Sequence, residues 1–231
     1  MAKKGGVKHL TRISTKGTVI KKKLHKWLAK PIPGTHKVSK AITLLSLLRD
    51  ILNVAASKKE AKRILKNREV LIDNRIITEE NFPIGLMDVI HIPKIKKSYR
   101  ILIDSHGRLV ANEITAEEAK FKICRIENKR RGKKGKLEIG LHDGRNLPAN
   151  KAHTVGDSVK LTLGKNEINK NIKLEPGTKC LIIDGKHVGE IAVLNEIILG
   201  TATRNAEAKL KKEGAEIITV KKYLFPIGDA L

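Results

Sequence analysis

Apolar residues recur at helical spacing between residues 44 and 52, where leucine and isoleucine occupy positions three and four apart. This periodicity predicts an amphipathic helix with one buried face. A second helix is predicted to begin at Ser57, because a serine hydroxyl can cap a helix and Glu60 follows three residues later, which makes a capping box. The apolar positions of the two helices are Leu44, Leu45, Leu47, Leu48, Ile51, Leu52, Ala61, Ile64 and Leu65.

The chain after the second helix has the pattern of short strands. Residues 70–72 and 75–77 are rich in β-branched side chains, and Asp73 and Asn74 separate them, which predicts a hairpin. Residues 87–90 are typical of a further strand that closes the sheet.

This order of two short helices followed by strands resembles the S-four-type RNA-binding fold, also called the alpha-L motif. The residues that carry the resemblance are Ser57, Ala61, Ile64, Val70, Ile72, Asp73, Arg75, Pro83, Gly85, Asp88 and Ile90. Asn67 and Asn74 stand where members of the family commonly have glycine, and asparagine is the next best residue for a positive φ.

The resemblance implies that the basic side of the helix pair contacts folded RNA. In the second helix the cations lie mainly opposite the apolar positions, because residues three and four apart share a face. The alternative is that this charge run is simply the solvated side of a helix. The cations of the segment assigned to RNA contact are Arg49, Lys58, Lys59, Lys62, Arg63, Lys66 and Arg75.

Charge favours the RNA interpretation, because 48 Lys and Arg stand against 24 Asp and Glu, a formal net charge of +24 at pH 7. Such an excess repels itself in an isolated protein and indicates a polyanionic partner. The hydrophobic fraction of 40% is sufficient for packed cores, which excludes a purely disordered basic tail. Aromatic residues make up only 3%, and single-strand binders stack bases on aromatic rings. Recognition of folded RNA through phosphates and shape is therefore expected.

The first 40 residues contain no Asp or Glu, although cations are frequent. This basic N-terminal extension is predicted to order along nucleic-acid phosphates, driven by counterion release. The alternative is a solubilising tail. The cations of the extension assigned to RNA contact are Lys3, Lys4, Lys8, Arg12, Lys21, Lys22 and Lys23.

Between residues 99 and 175, short alternating strands are broken by Gly, Asn and Asp turns, which predicts a small β-rich domain. One loop in it combines six cations with two glycines, which is typical of a flexible phosphate-binding segment. The alternative is a solvated hairpin tip. The cations of this basic loop are Lys129, Arg130, Arg131, Lys133, Lys134 and Lys136.

From residue 175 the spacing of strands and turns resembles a KOW motif, which occurs in small SH3-like barrels of ribosomal and transcription proteins. Gly189 corresponds to the characteristic glycine of that motif, where a side chain would obstruct a bulge or a close backbone approach. The predicted fold is therefore α+β and multi-modular. Its parts are a basic N-terminal extension (1–40), a small α/β S-four-type RNA-binding domain (41–95), a central β-rich domain (96–174) and a C-terminal KOW or SH3-like barrel (175–231).

Motifs along nearly the whole chain are similar to one family, the archaeal and eukaryotic small-subunit ribosomal protein family four-e. They lie at residues 8–12, 27–28, 33–37, 82–90, 99–110, 114–126 and 141–146. The resemblance implies a structural constituent of the small ribosomal subunit, cytoplasmic and archaeal-type, with small-subunit rRNA and neighbouring ribosomal proteins as partners. No cofactor and no small-molecule substrate are expected. No membrane association is expected either, because the most apolar segment is too short for a membrane span and contains Arg49 and Asp50.

No motif with the spacing of a catalytic or metal site occurs in the sequence. The pair His142 and Asp143 is predicted to form a turn in which the carboxylate accepts from backbone amides. Cys124 and Cys180 are far apart and belong to no CxxC, which favours buried thiols in a reducing compartment. The alternatives to a ribosomal protein are an RNA-modifying enzyme with an S-four-type delivery domain and a free regulator built on a KOW barrel.

Overall fold

The structure is a computed structural model in which the chain divides into two compact units. The first comprises residues 1–102 and 108–119, and the second comprises residues 103–107 and 120–231. The residues that the structure describes are 9–11, 20, 27–132, 135, 137–165, 167–201, 203–212 and 214–228.

Within the described residues, the first unit contains nine strands and two short α-helices. The strands are β1 (His9–Thr11), β2 (Trp27–Ala29), β3 (Ile42–Thr43), β4 (Leu71–Ile72), β5 (Arg75–Ile76), β6 (Pro83–Ile84), β7 (Val89–Ile92), β8 (Lys97–Ile103) and β9 (Leu109–Ile114). The helices are α1 (Leu44–Ser46) and α2 (Lys58–Lys66). Strands β1 and β2 form one antiparallel pair, β3 and β6 form another, and the remaining five make a sheet in the order β5-β4-β7-β8-β9. Strands β8 and β9 thus extend the sheet of the segment predicted to end at residue 95, and the boundaries of the four segments remain a prediction.

The first predicted helix differs from the expectation of a regular amphipathic helix. Helix α1 is a single turn that continues as a π-helix at Leu47–Ile51, in which the N–H of Leu52 donates to the carbonyl of Leu47 at 2.9 Å. Leu44, Leu45, Leu47 and Leu48 are all buried, as is Ser46, so the turn is buried on every side. A helix of this kind packs inside a core rather than on its surface.

The predicted N-terminus of α2 is confirmed. The Ser57 hydroxyl accepts from the N–H of Glu60 at 3.2 Å, while the Glu60 carboxylate accepts from the N–H of Ala56 at 2.8 Å, one residue before the cap. The helix ends in a Schellman motif, in which the N–H of Arg68 donates to Leu65 and that of Glu69 to Ile64.

Positive φ occurs at one of the two asparagines for which it was proposed. In the hairpin of β4 and β5, Asp73 has φ 50° and Asn74 has φ 64°, as a two-residue turn requires. At the end of α2 the expectation was wrong, because Asn67 has φ −72° and Arg68, with φ 59°, takes the left-handed conformation.

The second unit contains two five-stranded antiparallel sheets, each with its own apolar core. The strands of the first are β10 (Phe121–Arg131), β11 (Leu137–Leu141), β12 (Asn146–Pro148), β13 (Ser158–Thr162) and β14 (Glu167–Ile172), in the order β12-β11-β10-β13-β14. The strands of the second are β15 (Lys179–Ile182), β16 (Ile191–Ile198), β17 (Glu207–Lys212), β18 (Ala215–Val220) and β19 (Leu224–Pro226), in the order β18-β17-β16-β15-β19. The described chain is therefore mostly β, in several sheets with few helices.

Gly189, before β16, stands where only glycine fits. Its φ is +81°, and a Cβ there would collide with the backbone carbonyl of Asp104 in the same unit. The close backbone approach predicted for this glycine is confirmed.

Candidate nucleic-acid interface

The exposed side of α2 is formed by five cations because its other side is fixed in the core. Ala61 and Leu65 are fully buried. The opposite side carries five exposed cations. Among the described residues, Lys58 alone of these five has a carboxylate partner, Glu80 at 3.1 Å. The five cations, called the α2 basic face below, are Lys58, Lys59, Lys62, Arg63 and Lys66.

Acidic residues near α2 have bonding partners of their own. The Glu60 carboxylate accepts from a backbone amide, as described above, and Glu69 accepts from the Lys94 ammonium at 2.7 Å. That hydrogen bond is the main reason why the pKa of Glu69 is lowered. The positive charge of the α2 basic face is therefore largely uncompensated within the described chain.

Arg75 on β5 and Arg68 just after α2 are also exposed. Sequence reasoning assigned Arg75 and missed Arg68. The position of a cation in the first residues after a helix was an available signal, since the C-terminal end of a helix favours positive charge.

Arg49 is in a different situation from the other assigned cations. Its guanidinium forms two hydrogen bonds to the adjacent Asp50, at 2.7 and 2.9 Å, and its side chain is only 16% exposed. The neighbouring carboxylate neutralises it, so it adds little to a phosphate-binding surface.

The segment predicted as a basic loop begins inside a strand, because Lys129, Arg130 and Arg131 belong to β10 and pair with β11. These described cations divide between internal and external roles. The Lys129 ammonium donates to the carbonyls of Lys151 and His153 at 3.1 and 2.7 Å, so it holds a neighbouring loop. Arg130 pairs with Glu138 across the hairpin at 3.3 Å, and Arg131 is exposed. The other three cations assigned in this loop, Lys133, Lys134 and Lys136, lie outside the described residues.

The N-terminal candidates all lie outside the described residues as well. They are Lys3, Lys4, Lys8, Arg12, Lys21, Lys22 and Lys23. Within the described part of the extension, Leu28 of β2 is buried, and Ala29 packs against a core cluster that contains Ala61 of α2. This contact places β2 beside α2.

A buried ion cluster in the second unit was missed by sequence reasoning. The Asp143 carboxylate lies 3.1 Å from the Lys122 ammonium and 3.2 Å from Nε of Arg145, and it also accepts from the N–H of Arg145 at 3.1 Å. Burial alone would raise the pKa of Asp143, but the charges of Lys122, His142 and Arg145 outweigh it and lower the pKa to about 2. The predicted turn, with its carboxylate bound to a backbone amide, is confirmed. The period-two pattern of β10 was the missed signal, since it puts Lys122 on the same face as core positions.

Three other side chains of the second unit also have roles inside the fold. Arg125 donates to the carbonyls of Lys222 and Leu224 at 2.8 and 3.0 Å, which ties β10 to the end of the second sheet, and its burial lowers its pKa. Burial likewise raises the pKa of the Cys180 thiol to about 12, as predicted for an inert buried cysteine. The thiol of Cys124 is buried too and donates to Asp143 at 3.6 Å.

Comparison with known proteins gives consistent matches. Residues 95–168 match the family model described as Ribosomal family S4e. Small ribosomal subunit protein eS4 of Methanosphaera stadtmanae is 38% identical over 229 residues, which covers 99% of this chain and 95% of the relative. The corresponding protein of Methanothermobacter thermautotrophicus is 39% identical over 223 residues, covering 96% and 92%. This chain belongs to the ribosomal S4e family.

A solved S4e structure extends the similarity to the fold. The crystal structure of the 30S ribosomal protein S4e from Thermoplasma acidophilum matches with a TM-score of 0.72 and 33% identity, over 82% of this chain and 95% of that one. The family resemblance drawn from the sequence motifs is thereby confirmed.

Among the described residues, no three His, Cys, Asp or Glu side chains are grouped so that they could hold a metal ion. None of the described helices has the length and apolar character needed to cross a membrane.

Proposed function

We propose that this chain is a structural constituent of the small ribosomal subunit that binds and stabilises folded rRNA through basic surfaces. The observation that carries the proposal is the α2 basic face, where only Lys58 of the five exposed cations has a carboxylate partner in the described chain. Its membership of the S4e family, whose relatives are named small ribosomal subunit proteins, supports the same role. In this role the protein works in the cytoplasm, non-catalytically, with small-subunit rRNA and neighbouring ribosomal proteins as partners.

Two modules of the chain fit this role. Residues 41–95 form the S-four-type RNA-binding domain, supported by the order of α1, α2 and the hairpin of β4 and β5. Residues 175–231 form the KOW barrel, supported by the position of Gly189 before β16 and its close contact with the chain at Asp104. The basic extension (1–40) and the central β-rich domain (96–174) complete the four parts.

The mechanism is electrostatic neutralisation on a rigid surface. The buried side chains of Ala61 and Leu65 and the Ser57 cap fix α2, so its cations are presented in a set arrangement. Each phosphate that such a cation neutralises releases condensed counterions, which drives binding and makes it salt-dependent. Arg68 and Arg75 are further exposed cations of the same unit as α2, and Arg131 is an exposed cation of the second unit.

The test is a charge reversal of α2 with a matched control. Lys59, Lys62 and Lys66 are replaced by Glu in one variant. Filter binding to small-subunit rRNA is then measured across a range of salt concentrations. The α2 variant should bind more weakly, and the slope of log K against log salt should flatten by about one unit per lost phosphate contact.

The control variant carries the same change at three exposed lysines that do not belong to the α2 basic face, Lys165, Lys170 and Lys186. It has the same net charge as the α2 variant but should keep a slope near that of the wild type. Equal slopes for the two variants would show that binding follows total charge and not the α2 basic face, and the proposal would fail.

A further inference from the structure

Apolar side chains are exposed on the outer face of the second sheet of the second unit. In β16 the core positions Ala192 and Leu194 alternate with Ile191 and Val193, which are 44% and 39% exposed. In β18 Ile218 is 58% exposed. Apolar side chains that are exposed together on one surface mark an interaction site, whereas singly scattered ones are normal.

The strand register places these side chains on one surface. Val193 lies opposite Lys211 of β17, and Lys209 of β17 lies opposite Ile218 of β18. Lys209 and Lys211 are two residues apart and therefore point to the same side of the sheet. Val193 and Ile218 consequently share a face across β17, which we name the open sheet face.

Charge on the open sheet face is balanced, in contrast to the rest of the chain. Three lysines and three glutamates occupy its outward positions, and one pair, Lys209 and Glu196, is in contact at 3.1 Å. A polyanion gains little from such a surface, because there is no excess cation to release its counterions. The outward charged residues are Lys179, Lys209, Lys211, Glu196, Glu207 and Glu216.

The shape of the face fits an extended protein segment. The register of β16 and β17 shifts between Leu194 and Glu196, and a shallow depression lies beside the shift, lined in part by Val193 and Lys211. Strand β18 is at the edge of the sheet and pairs with β17 alone among the described strands. An edge strand offers backbone donors and acceptors to an added strand, whereas apolar neighbours receive its side chains.

We propose that the open sheet face docks a neighbouring protein of the small subunit, through an extended segment that carries apolar and mixed-charge side chains. The balanced charges and the exposed Ile191, Val193 and Ile218 match such a segment and not an rRNA backbone. The inference rests on the proposed function only in that the partner is another protein of the same assembly. The two surfaces then bind different partners: the α2 basic face binds RNA, and the open sheet face binds protein.

Site-specific photo-crosslinking in assembled small subunits tests this division. The photoreactive residue p-benzoylphenylalanine replaces Val193 or Ile218 in the full-length chain, and Lys62 of α2 in a third variant. Sedimentation with the subunit verifies that each variant assembles. Two positions on the face are used, so that the test can proceed if one of the two variants fails to assemble. After irradiation, the Val193 and Ile218 positions should yield adducts with a second protein.

Three outcomes would overturn the proposal: an adduct with rRNA at these positions, an adduct with a second copy of this chain, or no adduct in assembled subunits. A further variant, Ile218→Asp, should reduce the protein adduct formed from Val193 by roughly tenfold, as expected for loss of a well-packed interface side chain. An unchanged yield would also count against the proposal.

The Lys62 position keeps the two proposals distinguishable. It should give an rRNA adduct if the α2 basic face binds RNA. A missing rRNA adduct at Lys62 together with a protein adduct at Ile218 would refute the RNA role of α2 and leave the docking face in place. The reverse pattern would refute only the docking face.

Discussion

The buried ion cluster of the second unit should be among the most sensitive points of the fold. Asp143 and Lys122 are both almost completely buried and lie 3.1 Å apart. The substitution Asp143→Asn keeps the size of the side chain but removes its charge, and the Lys122 ammonium then loses this carboxylate. Breaking a buried pair in this way costs about 3–5 kcal/mol, because the remaining charge stays in a medium of low polarity.

A double-mutant cycle separates the pair from its surroundings. Lys122→Met should cost less than Asp143→Asn, because Arg145 still compensates the carboxylate at 3.2 Å and the methionine fills most of the space. The double variant should cost clearly less than the sum of the two single changes, since neither charge is then left alone.

The pH dependence of this cluster follows from the lowered pKa of Asp143, about 2 against an ordinary 3.8. The carboxylate has its lower pKa in the folded state, so its stabilising contribution is complete above about pH 4 and is lost as the pH falls towards 2. A difference of nearly two pKa units corresponds to about 2 kcal/mol. Other carboxylates titrate in the same range, so the quantity to compare is the loss in the wild type minus the loss in Asp143→Asn.

Urea unfolding can be followed separately in the two units. Amide hydrogen exchange in β10 and β11 reports on the second unit, whereas Trp27, the single tryptophan of the chain, lies in the first. Asp143→Asn should destabilise the second unit and leave the Trp27 fluorescence transition in place. A loss below about 1 kcal/mol, or an equal shift of both reporters, would refute the reasoning from a buried ion pair.

Two further predictions concern a close backbone contact and the basic loop. Gly189→Ala should lower the melting temperature much more than Gly177→Ala: both glycines have positive φ, but only Gly189 would place a Cβ against a carbonyl, that of Asp104. Similar melting temperatures for the two alanine variants would contradict the close approach. In the basic loop, Arg131→Glu should weaken rRNA binding in the filter assay without changing thermal stability. Lys129→Met should do the opposite, because its ammonium holds two backbone carbonyls; equal effects on binding would argue against this division.

Local features of the fold could be predicted where neighbouring residues decide them. The cap of α2 depends on Ser57 and Glu60, three residues apart, and the β4–β5 turn depends on Asp73 and Asn74. The residue that takes the left-handed conformation at the end of α2 could not be predicted. Whether it is Asn67 or Arg68 depends on which backbone amides donate to the last helix carbonyls. The short α1 with its π-helical continuation was missed for a related reason, since a run of leucines fits both a surface helix and a buried turn.

The candidate site could be predicted only in part, because contacts across long distances in the sequence decide which cations are available. The sequence marks Lys129 and Arg131 as equivalent members of one loop, yet Lys129 bonds to carbonyls more than 20 residues away. Arg125 was unremarkable in the sequence and binds carbonyls nearly 100 residues away. The folded chain decides whether a cation is buried and which group it contacts, and the local sequence pattern does not show either.

The location of the carboxylates, more than that of the cations, decides where this protein offers positive charge. Cations are spread over the whole sequence, but the structure withdraws some of them into pairs, as with Lys122 and Asp143 or Arg49 and Asp50. On the open sheet face the three glutamates cancel the three lysines, and the surface becomes suited to protein. On α2 the lone acid of the helix, Glu60, is turned to the backbone at its first turn, so the cations beside it remain available. The arrangement of the acids therefore supports α2 as the proposed site for a polyanion, which the net charge of +24 alone does not indicate.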